Sequence, residues 1–293
     1  MKIGAFEINE PLPELHEPHA LAMLRPWVDV GNVGSLVLSG FETHFKAKEL
    51  GKLVRPGNFF DFTRYRPTMH LKEGKRQIVI PNSLVSYAKR TTGNDFIFLH
   101  LLEPHMFGET YVDSVLRLLK QLGVKRYYLL GSMYDFVPHT RPLIVTGGGI
   151  GKVAEKELKQ AGIQPSDYQG PTTITYLISQ RAPKLGIETV TLMVHVPQYS
   201  QLDEDYMGQV RLMEVLGSLY GLPVDEIVVH QAEQQRKYID HAVDSDAQVK
   251  EIVTQLEAHY DSRMTGMEKK EMPQLSPQIE KFLKEMERLF RRD

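Results

Sequence analysis

The segment 170–199 constrains the fold more than any other part of the chain. Gly170-Pro171-Thr172-Thr173-Ile174-Thr175-Tyr176-Leu177-Ile178 reads as the opening of a helix. The chain then passes through Gly186-Ile187 into the apolar run Val190-Thr191-Leu192-Met193-Val194-His195-Val196. A second amphipathic helix is expected after Pro197-Gln198-Tyr199. A helix feeding a buried strand that feeds another helix is the pattern of a sheet covered by helices.

The same alternation recurs. Phe96-Ile97-Phe98-Leu99-His100-Leu101 is apolar on both alternations, as in a strand covered on two faces. Val112, Val115, Leu116, Leu119 and Leu122 then recur at helical spacing, with Thr110 expected as the cap and Gly123 as the stop. Val124 to Leu130 is the next strand, and strand–helix units are expected through Leu143–Ala161 and Ile187–Tyr220. Earlier in the chain, an apolar stretch from Leu21 to Val30, ending in Trp27-Val28-Asp29-Val30, is read as the first core strand. Gly31-Asn32-Val33-Gly34-Ser35 turns from it into a helix burying Leu38, Phe41 and Phe45. Short strands are expected over 48–70, and a strand at Gln77-Ile78-Val79-Ile80-Pro81. Residues 1–20 show no period and read as an irregular arm. The expected architecture is a three-layer α/β/α sandwich on a mostly parallel sheet, with a helical C-terminal region.

That region begins at Pro223 with a helix to about Val243. Ser245 and Gln248 suggest a capping box for the next helix, whose stripe is Val249, Ile252, Val253, Leu256 and Tyr260. The expected organisation is one α/β body over 1–262, then a polar link and a terminal amphipathic helix over 263–293. Ser276-Pro277 starts that last helix, and Ile279, Phe282, Leu283, Met286, Leu289 and Phe290 form its stripe. Two readings stand for this stripe: it packs back on its own domain, or it docks on another subunit.

Bulk properties remove several classes of function. The chain has no cysteine, which excludes thiol catalysis, Cys-ligated metal and disulfides. A formal charge of -2, with no basic run interleaved with aromatics, argues against nucleic acid as a partner. No apolar run approaches the roughly 20 residues of a membrane span, and the acidic N-terminus lacks the apolar core of a signal peptide. A cytoplasmic location without membrane contact is the expectation.

Three motifs together resemble one family. Gly170-Pro171-Thr172-Thr173-Ile174, the Val-His-Val-Pro-Gln-Tyr run at 194–199, and Pro138-His139-Thr140-Arg141-Pro142 after Gly131 are similar to the proteasome assembly chaperone 2 family in its prokaryotic branch. The resemblance covers roughly residues 20–262. It implies an α/β/α sandwich akin to nucleoside phosphorylase and hydrolase-like folds. It also implies homo-oligomers, often trimers or tetramers, and a role in assisting the assembly of proteasome subunits. Archaeal chaperones of this type end in a hydrophobic–Tyr–X tail. This chain ends Phe290-Arg291-Arg292-Asp293, with arginine in the tyrosine position, which argues against direct proteasome docking.

Ligands of parallel sheets bind beyond the carboxyl ends of the strands, and that rule gathers the polar candidates. Asp29, Gly31 and Asn32 follow the first strand, and His100 and Glu103 close another. Tyr134, Asp135, His139 and Arg141 follow Gly131, and His195 ends its strand. His100, Glu103, His139 and Arg141 are the candidates for acid–base and anion-binding chemistry. Asn32, Asp135, Thr172 and His195 are candidates for ligand binding. Against chemistry, His100 and His195 also read as core histidines, and His139 with Arg141 as an ion-paired loop. No complete catalytic motif stands among them. Gly147-Gly148-Gly149-Ile150-Gly151-Lys152 places Thr146 where a phosphate loop needs its first glycine, and Val153 where it needs Ser or Thr. Gly131-Ser132-Met133-Tyr134-Asp135 lacks the second glycine of a nucleophile elbow. No metal or cofactor is expected. The sequence thus favours a protein-binding chaperone or scaffold. The alternative is a phosphorylase- or hydrolase-like enzyme acting on a phosphorylated or nucleoside-like ligand at the rim.

Overall fold

In the computed structural model, residues 1–265 are described. The terminal stripe from Ile279 to Phe290, and the choice between its two readings, lie outside the described residues. In chain order the first elements are β1 (Lys2–Ile3), β2 (Phe6–Ile8), β3 (His19–Arg25), α1 (Val33–His44) and β4 (Lys48–Leu53). They are followed by β5 (Thr68–Lys72), β6 (Lys75–Val79), β7 (Leu84–Ala88), β8 (Phe96–Leu102) and α2 (Gly108–Gln121). The central part adds β9 (Arg126–Asp135), β10 (Val145–Ile150), α3 (Lys152–Gln160), β11 (Gln164–Pro165) and α4 (Ile174–Arg181). The last described elements are β12 (Glu188–Pro197), α5 (Tyr206–Tyr220), α6 (Glu226–Asp244) and α7 (Ala247–Met264).

Ten strands form one sheet in the order β1-β2-β4-β7-β8-β3-β9-β12-β10-β11. The four central strands β8, β3, β9 and β12 run parallel, as does the short β10–β11 pair. Every other pairing is antiparallel, so the sheet is mixed rather than mostly parallel. Helical crossovers build only the centre, whereas short connections such as β1–β2 fold the wings back as hairpins.

The expected two-sided cover is present. On one face α2 and α4 pack on Ala22, Ile97, Leu99, Tyr127 and Leu129. On the other, α1, α3 and α5 pack on Leu21, Met23, Phe98, Tyr128 and Leu192. Alternate residues of β3 and β8 therefore feed two separate cores, which is why both strands are apolar throughout.

Three local expectations need correction. The N-terminal arm is not irregular: β1 and β2 pair with each other and with β4, burying Ile3, Phe6 and Ile8. The first parallel strand is His19–Arg25, so the expected stretch is strand only from Leu21 to Arg25 and Trp27-Val28-Asp29-Val30 lies beyond its end. Pro26 has no N–H to donate, so regular pairing stops there, and Arg25 offers its carbonyl to the Glu103 N–H at 2.9 Å. Gln77–Pro81 does not join the main sheet. Its first residues belong to β6, which among the described residues pairs only with β5 in a separate ribbon. Two caps also differ: α2 starts at Gly108 after Phe107, and the Asp246 carboxylate caps α7. Finally, α7 runs to Met264 across the boundary expected at 262.

Candidate functional site

The four parallel strands end side by side, so their following loops share one rim. Neighbouring strands are about 4.8 Å apart, and the ends of β8, β3 and β9 therefore span roughly 10 Å. Asp29 and Asn32 follow β3, Glu103 follows β8, Asp135 ends β9 and His195 stands near the end of β12. The backbone gathers these candidates as the sequence suggests, but of their side chains only Asp135 and His195 meet.

His100 projects from β8 toward α1, with Nε2 at 2.9 Å from the Glu42 carboxylate. Glu103 turns to the opposite layer, where its carboxylate takes the first-turn N–H of Ile174 in α4. The helix start near Thr172 therefore already holds an anion from the chain itself. Thr172 is exposed, and Thr173 pairs its hydroxyl with that of Thr175 at 2.6 Å. Burial holds the Glu103 carboxyl above its ordinary value, and its Oε2 is buried without a hydrogen-bond partner among the described residues.

His139 and Arg141 fasten the loop after β9 to the last helices. The His139 N–H donates to the Tyr199 hydroxyl at 2.7 Å, and ring Nδ1 lies 2.5 Å from the same oxygen. Tyr199 thus gives its own proton to Nδ1, leaving Nε2–H for Asp240 at 2.9 Å. Burial pulls the His139 imidazolium below its ordinary value in spite of Asp240. Arg141 meets Glu257 at 3.2 Å and Asp261 at 2.8 Å. These are the ion pairs of a fixed loop. His100, Glu103, His139 and Arg141 do not form a joint acid–base site.

Asp135 and His195 do meet. Asp135 Oδ2 lies 2.7 Å from His195 Nδ1, and His195 Nε2 lies 2.8 Å from the Thr146 hydroxyl. The carboxylate fixes the Nδ1–H tautomer, so Nε2 accepts from Thr146. This order of groups matches an acid–base–hydroxyl relay. Burial pushes the Asp135 carboxyl up, but the His195 hydrogen bond and charge outweigh it and hold it below the usual value. Thr146 and His195 are both buried inside the sheet, so the hydroxyl has no room for a substrate carbonyl. A solvent-open hollow of about 550 Å³ lies instead beside the β1–β2 turn, with Lys2, Arg55 and Arg117 in its lining. None of its lining residues belongs to the relay.

The loops after β3 and β12 are interlocked. Buried Asp29 accepts the Gly34 N–H at 2.7 Å and the Ser35 hydroxyl at 2.7 Å, capping α1. Asn32 donates its side-chain amide to the Asp203 carbonyl at 2.8 Å, and Asp205 N–H reaches the Gly31 carbonyl at 2.8 Å. Gly31 has φ +59°, and a Cβ there would stand 2.6 Å from the Asp205 Cβ.

What this rigid rim presents to solvent is apolar. Trp27 is 56% exposed and Phe107 is 68% exposed, with Met106, Tyr134 and Phe136 also exposed. They follow β3, β8 and β9 or end β9, and so form a crown over the centre of the sheet. Val28 and Phe107 hold φ of +53° and +51°, a region that side chains with a Cβ enter at a cost of about 1–2 kcal/mol. Strain of this kind recurs where structure serves function. Of these residues the sequence reading placed only Tyr134 at the rim. The signal it passed over was a large apolar residue in the loop after each of three strands, Trp27, Phe107 and Phe136.

Among the described residues no cluster of His, Asp and Glu has the makings of a metal site, and no helix is long and apolar enough to cross a membrane. No curated protein matches the chain. Solved structures do. A protein of unknown function from Mycobacterium tuberculosis, Rv2714, is 24% identical, with a TM-score of 0.79 over 92% of this chain and 92% of that one. The proteasome-assembly chaperone homologue Rv2125 from the same organism is 22% identical, with a TM-score of 0.71 over 80% of this chain and 99% of that one. Pyrococcus furiosus PbaB, an archaeal proteasome activator, is 13% identical, with a TM-score of 0.65 over 81% of this chain and 97% of that one. At these identities the likeness establishes the fold. The PAC2 family model matches residues 23–245, most of the sequence and, but for the first residues of β3, the four central strands, and the chain belongs to the PAC2 family.

Proposed function

We propose that the chain is a protein-binding assembly chaperone or scaffold, and that its client docks on the aromatic crown at the carboxyl rim. The exposure of Trp27, Phe107 and Phe136 on an otherwise interlocked rim carries this reading. Trp and Tyr dominate binding energy at protein interfaces, where they fill pockets on the partner. Burying the exposed part of a Trp such as Trp27, about 100–140 Å² of apolar surface, contributes about 3 kcal/mol before ordering costs. Two structural relatives carry names of the same kind, a proteasome-assembly chaperone homologue and a proteasome activator. The client is a protein that offers apolar side chains or an apolar groove. The phosphorylase- or hydrolase-like alternative needs His100, Glu103, His139 and Arg141 to converge on one ligand, and each is engaged elsewhere.

Trp27 is the only tryptophan, so it reports on its own docking. Client candidates are captured from host extract with the wild type and with the double variant Trp27→Asp/Phe107→Asp. The expected result is a set of proteins retained by the wild type and lost by the variant, with circular dichroism unchanged. Titrating a purified member of that set should blue-shift Trp27 emission. Identical capture by both forms, or emission that does not move, would remove the crown from the mechanism.

A further inference from the structure

Two hollows open side by side where the β1–β2 turn meets α2. One encloses about 550 Å³ and the other about 520 Å³. Lys2, Gly4 and Arg117 line both, so the two form one groove. Its walls are fixed in advance. The Ala5 N–H donates to the Ser114 hydroxyl at 3.1 Å, and the Val54 N–H reaches the Ala5 carbonyl at 3.0 Å. Gly4 has φ +59°, and a Cβ there would stand 2.8 Å from the Ser114 Cα, so the turn is pressed against α2. Preformed hollows of this volume are of the size that takes a small molecule.

The lining is cationic. Lys2 comes from β1, Arg55 from the segment after β4, and Arg117 and Lys120 from α2. All four are exposed, and none makes an ion pair among the described residues. The one acid in the lining, Asp113, is already held by Arg181 at 3.2 Å. Glu7 stands opposite Lys2 in the β1–β2 ladder but lines neither hollow. The Asn58 amide and the Thr110 hydroxyl complete the polar lining, and neither makes a hydrogen bond among the described residues. Scattered surface cations are ordinary. Four around one concavity, in a chain whose formal charge is -2, concentrate positive potential at that place.

We propose that the groove is a binding site for a small ligand carrying two or more linked phosphate groups. One phosphate monoester carries about -1.5 to -2 at pH 7, so four cations match more than one of them. The planar guanidinium groups of Arg55 and Arg117 each grip two phosphate oxygens, and Lys2 and Lys120 act as point charges beside them. Asn58 and Thr110 supply neutral donors. Trp27 and Phe107 line neither hollow, so this site is separate from the crown and does not depend on a client there.

Inorganic triphosphate is the probe, titrated calorimetrically into the full chain at low salt. One site per chain is expected, with affinity about tenfold or more above that for orthophosphate or for citrate, which carries charge without phosphate. Arg55→Gln/Arg117→Gln should weaken triphosphate about tenfold or more. Arg64→Gln/Lys75→Gln removes the same charge from exposed positions outside the groove and should leave the affinity unchanged. Circular dichroism checks that each variant is folded. Absence of binding overturns the proposal, and so does equal weakening by the two double variants, which would mean attraction to surface charge in general. Orthophosphate or citrate binding as tightly as triphosphate would overturn the assignment to linked phosphates.

Discussion

His19 should make the fold acid-sensitive by a calculable amount. It opens β3, with ring Nδ1 at 2.6 Å from the Tyr220 hydroxyl of α5. Burial, and after it the charge of Arg126, holds its imidazole down to about 4 from an ordinary 6.5. The native state therefore refuses a proton that the unfolded chain accepts. For a group depressed in the folded state, the stabilisation is complete above the unfolded value and is lost as pH falls through the window 6.5 to 4. From pH 7 to 4.5 the loss is about 2.4 kcal/mol, out of about 3.4 kcal/mol when titration is complete. Urea unfolding of the wild type and of His19→Gln at both pH values measures it. Glutamine keeps an acceptor for Tyr220 and cannot be protonated. Acidic groups elsewhere titrate equally in both proteins and cancel in the difference. The variant should start less stable at pH 7 and lose about 2.4 kcal/mol less on acidification. Equal losses in the two proteins would refute the argument, because His19 would then titrate alike folded and unfolded.

Two further outcomes follow from the rim. Gly31→Ala must place a Cβ against Asp205 at positive φ, and should lower unfolding free energy by about 1–3 kcal/mol in urea titration; an unchanged midpoint means that the two loops are not locked together. A fluorophosphonate probe should leave Thr146 unlabelled despite the relay with His195 and Asp135, since the hydroxyl is sealed in the sheet. A mass shift on the peptide bearing Thr146 would show that the sheet opens there and would revive a hydrolytic reading.

The centre of the molecule was legible because two-sided burial writes itself as unbroken apolar sequence. Phe96–Leu101 and Val190–Val196 are strands as expected. Gly123, at φ +70°, follows α2 where its stop was expected. The wings were harder. β1 and β2 span two and three residues, too short for any period to show, and their burial depends on β4, more than 40 positions away. β3 reads His-Ala-Leu-Ala-Met-Leu-Arg, whose alanines, leucines and methionine favour helix, and only its two parallel neighbours impose extension. The rim candidates were legible as positions and not as contacts. Sequence order places Glu103 at a strand end, but not its reach across to Ile174. Likewise, nothing in the spacing of Thr146, Asp135 and His195 announces that three strands bring them into line.

The borders of the main sheet have a consequence for crowding. Both lateral margins end in dipeptides, Lys2–Ile3 on one side and Gln164–Pro165 on the other. A lysine stands in one and a proline in the other, and neither two-residue strand offers a run of amides long enough to template a foreign strand. Ten strands in register would otherwise make a seed for fibrils. Ending in such short strands works against lateral growth of the main sheet.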